Sequence, residues 1–519
     1  MRPVSSSASW LDRPAPHRWL RSPLLWLLVW GMVGFAGRVA ISPAVMWDQA
    51  EQLVWSQELA LGYGPQPPLY TWIQWGVNQV FGPTALALAL LKFTLMVLTF
   101  WFMAQAARQL MPESTAWLVA ISLWWLPGFE WQVLRDLTHT VLLTCLVAAS
   151  WWLLLRQIRQ PDRAGFVWLG LVMGLGMLSK YSYLLVIVAT VGAALSLPAP
   201  RRALLSRGWW LAPLVGFLVV APHASWVLTH WHEASSATLD KMYGDPEVST
   251  LAGMVNGLWD IFRLSLAGAV PFALVVWWAF GKRAWRDTHP PAPNDAPALP
   301  WAAPFWRRYF AIIYVGLLSM VFLVGTTNFE GRWLHPLLCV VPLTAFSLRP
   351  WLGQQRRGVR RSAGAALLMA VILSVGVLLD CWVDARLRNR ADRFNWDIEG
   401  MATTLRAAGY DGQAPIVASH HTGAGNLRIV FPKAQVSYCN FILSTAPACV
   451  RTAVDKAVQD GTGVLVVAVE RPVPDAWWAG AQTIGANVTT VRQTGVPLRW
   501  ARADAEPLTL HFYWQPPAR

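Results

Sequence analysis

Between residues 22 and 385 the chain is a succession of apolar runs separated by short polar breaks, and that pattern leaves few architectures open to it. A helix needs about 20 residues to cross roughly 30 Å of hydrocarbon. Eleven runs approach that length, starting near residues 22, 84, 115, 138, 166, 181, 209, 259, 309, 334 and 363. The pattern predicts an all-α polytopic membrane protein with about 11 transmembrane helices over residues 1–385. With 55% hydrophobic and 13% charged residues, the chain carries about half the charge of a soluble protein, so it cannot be one water-soluble globule. Its 34 Trp fit the same reading, because amphipathic rings collect at the level of lipid headgroups. The first run follows basic residues but is long and has no clean small-x-small site after it, so it reads as an uncleaved span.

The net charge of +14 does not point to nucleic acid, whose binders cluster their Lys and Arg on one folded domain. Here the cations lie in short groups between apolar runs, and cytoplasmic loops attract such groups. With the N-terminus inside, one set of loops holds 21 of them, from Arg2 to Arg361, while the opposite short loops hold four: Arg135, Lys180, Lys241 and Arg332. That asymmetry decides how to read Leu69–Phe81, a run of 13 residues that carries Gln74, Asn78 and Gln79. Counting it as a span would turn the Arg groups outward, so it is expected to lie in the outer interface as an amphipathic helix. Residues 43–83 then form one external loop, with acids Asp48, Glu51 and Glu58 and neither Lys nor Arg.

From residue 386 to 519 the text turns to mixed polar and apolar sequence. Short apolar runs at Pro415–Ala418 and Val464–Val469 alternate with helix-like pieces, which predicts a C-terminal soluble α/β domain, extracytoplasmic if the span count is odd. Five Cys are too few for a disulfide framework. Cys145 and Cys339 lie in apolar spans, and only Cys439 and Cys449 read as a bridge.

Ionisable side chains near a membrane are costly and ask for a partner or a function. Asp48 opens a helical stretch, where it serves either as an N-cap or as a general base at the lipid boundary. Asp136 is predicted on the same face, as a cap on the following span or as a second carboxylate converging with Asp48. Two converging carboxylates can bind an acceptor hydroxyl or a divalent cation, and no other cofactor is implied. Lys180, Arg332 and His335 are either ordinary snorkelling residues or the cations that hold a phosphate at the outer interface. Lys92 falls within a span and is harder to dismiss, whereas Arg263 has Asp260 three residues earlier as an ion-pair partner. His420–His421 lacks a third ligand at any usual metal spacing, and His223, His230 and His232 form a weak cluster. Neither a nucleotide-cradling glycine loop nor a Gly-x-Ser-x-Gly elbow is present, which argues against ATP-driven pumping and serine hydrolysis.

The stretches Trp47–Glu51, Gln66-Pro67-Pro68-Leu69-Tyr70, Arg135-Asp136, Gly176–Tyr181, Arg332–Pro336 and Gly425–Arg428 together resemble glycosyltransferase family 39. That family has the GT-C architecture and includes the protein mannosyltransferases and the lipid A aminoarabinose transferases. The resemblance implies transfer of a sugar from a polyprenyl phosphate to a lipid, glycan or protein acceptor at the outer face of the bacterial inner membrane, with no nucleic acid involved. It places the acceptor-activating aspartate on Asp48, the second external aspartate on Asp136 and the donor-phosphate lysine on Lys180. Substrate contacts would come from Glu51, Gln66, Tyr70, Tyr181, Arg332 and His335. Two departures stand out. Glu51 occupies a position where family members often carry Arg, and Gln66 replaces a Lys before the double proline. Two other classes compete with an enzyme: a flippase of lipid-linked sugars, against which the lack of internal repeats counts, and an inactive scaffolding homologue, which the missing cations favour.

Overall fold

The computed structural model describes residues 22–126, 133–243, 250–281, 300–486 and 490–517. Helix α1 (Pro23–Ile41) starts on Ser22, whose side chain accepts from the Leu25 amide, with Pro23 in the first turn, where its missing N–H costs nothing. A loop segment leads to α2 (Trp47–Trp55) and then to α3 (Leu69–Phe81), which ends at Gly82 with φ 70°. That left-handed cap and Pro83 stop the helix at 13 residues. Its polar residues turn back toward α2: Gln74 donates to Asn78 (2.7 Å) and Asn78 to Ser56 (2.8 Å), while Val80 and Phe81 stay exposed.

The helices that follow are α4 (Ala85–Arg108), α5 (Glu113–Ile121), α6 (His139–Arg159), α7 (Arg163–Met177), α8 (Tyr183–Leu195), α9 (Pro198–Leu204), α10 (Leu211–Thr229) and α11 (Trp231–Tyr243). After them come α12 (Thr250–Phe280), α13 (Ala302–Ser319), α14 (Gly331–Leu338), α15 (Val341–Leu348) and α16 (Arg356–Arg386). Among the described residues seven helices are long and apolar enough to cross a membrane: α1, α4, α6, α10, α12, α13 and α16. The chain is therefore a multi-pass membrane protein. The other four predicted runs are shorter or broken. The run from 115 breaks after nine helical residues into a 3-10 turn, α7 has 15 residues, α8 and α9 meet at 112°, and the run from 334 splits into α14 and α15. Pro198, Pro336 and Pro342 lie in these short helices, where a missing amide and a fixed φ favour starts and kinks over long spans.

The C-terminal region folds as a five-stranded sheet of order β2-β1-β3-β5-β4. Its strands are β1 (Ile416–Ala418), β2 (Val436–Tyr438), β3 (Val464–Val469), β4 (Arg492–Val496) and β5 (Leu508–Gln515). The first three pair in parallel and β5 runs antiparallel to both β3 and β4. Helices α17 (Ile398–Ala407), α18 (His421–Val430), α19 (Ala446–Gln459) and α20 (Asp475–Ala479) complete it. β3 is buried throughout, as a continuous Val/Leu/Ala run in a covered sheet should be. Cys439 and Cys449 are joined by a disulfide.

This sheet region is fastened to the first loop by side-chain amides that pair with backbone as a strand would. Asn426 accepts from Val45 N (2.9 Å) and donates to Val45 O (3.0 Å), and Gln57 does the same with Val436 (2.9 and 2.7 Å). Gly425 lets α18 close on α2, since a Cβ there would stand 2.3 Å from the Ala50 oxygen. A second fastening is ionic. Arg135 bridges Asp380, near the end of α16, and Asp392, at the entry to the sheet region. The guanidinium groups of Arg38 and Arg135 both pack on the Phe394 ring, at 4.6 and 5.7 Å from its centre.

Candidate active site

The site is built around the first turn of α2. Asp48 is not its N-cap: that position is Met46, which provides no side-chain hydrogen bond. The capping carboxylate comes from 88 residues away, where Asp136 Oδ1 accepts from the Asp48 amide at 2.9 Å. Asp136 therefore meets the positive end of the α2 dipole instead of capping α6. Relieved of the capping role, the Asp48 side chain faces Arg332, whose Nη1 lies 3.5 Å from its Oδ1; Arg332 is also paired with Glu330. Burial, and next the charge of Asp48, push the Asp136 carboxyl well above the usual carboxylate range. As pH falls, Asp136 thus takes up its proton earlier than an exposed acid would. If the ionised form is what orders α2, the acid limb of the pH–rate profile should lie nearer neutrality than an ordinary Asp would put it. Asp136→Asn should slow the enzyme and flatten that limb; a limb that persists unchanged in the variant assigns it to another group.

Behind this pair lies a buried polar network. Gln52 is within 2.9 Å of His139 Nε2 and accepts from Thr71. The Tyr70 ring stands 5.3 Å from that of His139, and its hydroxyl is buried without a hydrogen-bond partner among the described residues. His139 lies within electrostatic reach of both Lys180 and Asp48. Lys180 donates to Thr140 at 3.1 Å and sits in the turn whose Leu178 oxygen accepts from the Leu69 amide (3.0 Å). The double proline supplies no amides, so Leu69 is the first donor that can tie the loop to this turn.

A cavity of about 710 Å³ opens beside α2, with Asp136, Arg263, Glu330, Arg332 and His335 on its wall. Asp48 touches that wall through Arg332, while Lys180 lies outside it. The predicted residues thus divide. Asp48, Asp136, Arg332 and His335 gather at the cavity; Tyr70 and Lys180 gather around His139. Tyr181 faces elsewhere, its hydroxyl 3.1 Å from His223, which in turn bonds the Leu61 oxygen (2.7 Å). Glu51 lies within electrostatic reach of Tyr438 of the sheet, and Gln66 is half-buried in a tight turn with Tyr63. Among the described residues no group of three His, Cys, Asp or Glu converges as a metal site. A divalent ion between Asp48 and Asp136 would sit beside the Arg332 guanidinium, which disfavours it on charge. Arg263 pairs with Asp260 at 2.8 Å, as its spacing predicts.

Two residues here escaped the sequence reading. Arg38, inside the first apolar run, is buried and donates to the oxygens of Ser42 (2.7 Å) and Ala44 (2.9 Å), holding the approach to α2. Its signal was a lone cation four residues before the end of an otherwise apolar run. His139 gave only the weak signal of a histidine opening a span.

Residues 65–226 match the family model described as dolichyl-phosphate-mannose-protein mannosyltransferase. The lipopolysaccharide core galacturonosyltransferases RgtB and RgtA of Rhizobium johnstonii are 28% and 29% identical, over 76% and 83% of this chain and 78% and 85% of theirs. The crystal structure of ArnT from Cupriavidus metallidurans bound to undecaprenyl phosphate superposes with a TM-score of 0.58 at 15% identity, covering 96% of this chain and 98% of that one. Architecture and matches together define the class of protein: a multi-pass membrane glycosyltransferase with the fold of ArnT. Over most of its length its sequence is similar to the two lipopolysaccharide core galacturonosyltransferases.

Proposed function

We propose that this enzyme moves a sugar from a polyprenyl-phosphate donor to the saccharide of a lipid-anchored acceptor on the extracytoplasmic face of the inner membrane. The observation that carries the reading is Asp48 freed from capping by Asp136 and set against Arg332. Such a carboxylate is available to take the proton of an acceptor hydroxyl as its oxygen attacks the anomeric carbon. The bond from that carbon to the phosphate oxygen breaks, and charge grows on the leaving phosphate, which Lys180 would meet from the side of the apolar cavity while Arg332 holds Asp48. Asp136 acts by positioning α2. The excess of cations in the opposite loops supports the outer face, and the C-terminal sheet region, docked on α2, would share it.

An apolar cavity of about 480 Å³ between α7, α8 and α10 supports a lipid donor. It reaches Met177, three residues before Lys180, so an isoprenoid chain lodged there would bring its phosphate toward that amine. The test is sugar transfer in vesicles containing purified protein, polyprenyl-phosphate sugar and acceptor lipid, read by mass spectrometry. Lys180→Ala is expected to raise the donor KM at least about tenfold, the order of one charge-assisted contact to phosphate, and to leave the acceptor KM unchanged. Translocation of the donor with no covalent product would overturn the proposal in favour of a flippase.

A further inference from the structure

We propose that the seam between α2 and the sheet region is the acceptor subsite, where an acidic saccharide lays one ring against Trp47 and turns its anionic group toward Arg393 and Arg471. The inference rests on the glycosyl-transfer reading above and names the acceptor chemistry for it. Trp47, Glu51 and Trp55 are spaced i, i+4, i+8 and so share one side of α2. The docking contact made by Ala50 with Gly425 borders that side, about 60° round the helix from Trp47. Across from it stand His420 and His421, their rings 5.0 and 5.4 Å from Trp47 and 3.9 Å from each other. Phe441 lies 6.5 Å from His420, and Tyr438 lies 5.7 Å from His421 and feels the charge of Glu51.

Simple interdomain packing would bury the large indole at the centre of such a cluster. Trp47 instead remains 39% exposed. It precedes Asp48 in the first turn of α2 but points about 100° away round the helix, so an acceptor of several sugar units is needed to reach from the indole to the carboxylate. Aromatic faces with a few convergent polar groups are the usual lining of a ligand site, and Glu51 supplies an acceptor for sugar hydroxyls.

The local field selects an anion. The Arg393 guanidinium sits 4.6 Å over the Trp47 ring and is paired with Glu470 at 2.9 Å, which leaves the exposed Arg471 beside it as net positive charge. Both arginines reach His420, whose ring burial first, and these charges next, hold well below its ordinary value, keeping it neutral.

The test uses the purified full chain in detergent and a matched pair of probes: β-1,4-mannotetraose and its C6-carboxylated counterpart, tetramannuronate. Saturable binding of tetramannuronate is expected, about tenfold tighter than the neutral probe at low ionic strength. Trp47→Ala and Arg471→Ala should each weaken it about tenfold, with Trp47→Phe retaining most of the affinity and undecaprenyl phosphate binding unchanged in all three. Equal affinity for both probes, absence of saturable binding, or indifference to both substitutions would overturn the proposal. Asp48→Asn should bind tetramannuronate as the parent does. If that variant also transferred sugar normally, the catalytic assignment would fall while the binding result stood.

Discussion

Asp48→Asn is expected to lower the rate of transfer by about 10²- to 10⁴-fold, the range a positioned general base supplies, with little change in how well the protein folds. The reasoning is geometric. Asn keeps the size of the side chain and can still meet Arg332, now 3.5 Å away, but an amide takes no proton from an attacking hydroxyl. The structural load at the α2 terminus is borne by Asp136, which accepts the Asp48 backbone amide whatever side chain position 48 carries. The variant should therefore enter the membrane, keep its thermal stability in detergent and retain its donor KM. Transfer within a few-fold of the parent would remove Asp48 from the chemistry, and loss of stability would make it a structural residue instead.

Lys92→Met is expected to cost about 1–3 kcal/mol, the range for leaving a buried polar group less well satisfied. Lys92 stands in α4 seven residues past Ala85, about 10 Å into the helix. It is fully buried, and its Nζ has no hydrogen-bond partner among the described residues. A cation at such a place needs a counter-charge. The acids that act on it are Asp136 and Asp48, and Arg38 opposes them. Lys92 thus supports from the membrane side the carboxylate that caps α2. Replacing it with Met weakens the positive field on Asp136 and leaves it the Asp48 amide and the more distant Arg38 and Arg332, whereas Lys92→Met combined with Asp136→Asn removes both charges. The double variant should recover much of the lost thermal stability, measured as the shift in unfolding temperature in detergent. Strictly additive losses would show that the two side chains do not interact.

Local pattern made part of this readable. The breaks at Gly82 and Pro83, the 13-residue helix before them, the strand at Val464–Val469 and the Asp260–Arg263 pair all depend on residues within a turn or two of one another. The resemblance to glycosyltransferases placed Asp48 and Asp136 together for the same reason, since each lies in a short motif. Division of labour between the two acids was not readable. Whether Asp48 or Asp136 caps α2 depends on how the loop after α5 packs against the first loop. The same holds for Glu51, whose charge acts on Tyr438, and for Tyr181, which bonds His223.

The sequence by itself determined that the chain crosses the membrane repeatedly, which runs are helical, and which few ionisable residues stand out against an apolar background. Hydropathy and charge bias act residue by residue and need no partner to be read. Only the tertiary structure decided that Arg135 would bind acids 245 and 257 residues away and that Asp136 would cap a helix 88 residues behind it. Such pairings are settled by the angles at which helices and sheet pack, and those angles are sums over many side-chain contacts that no short motif contains.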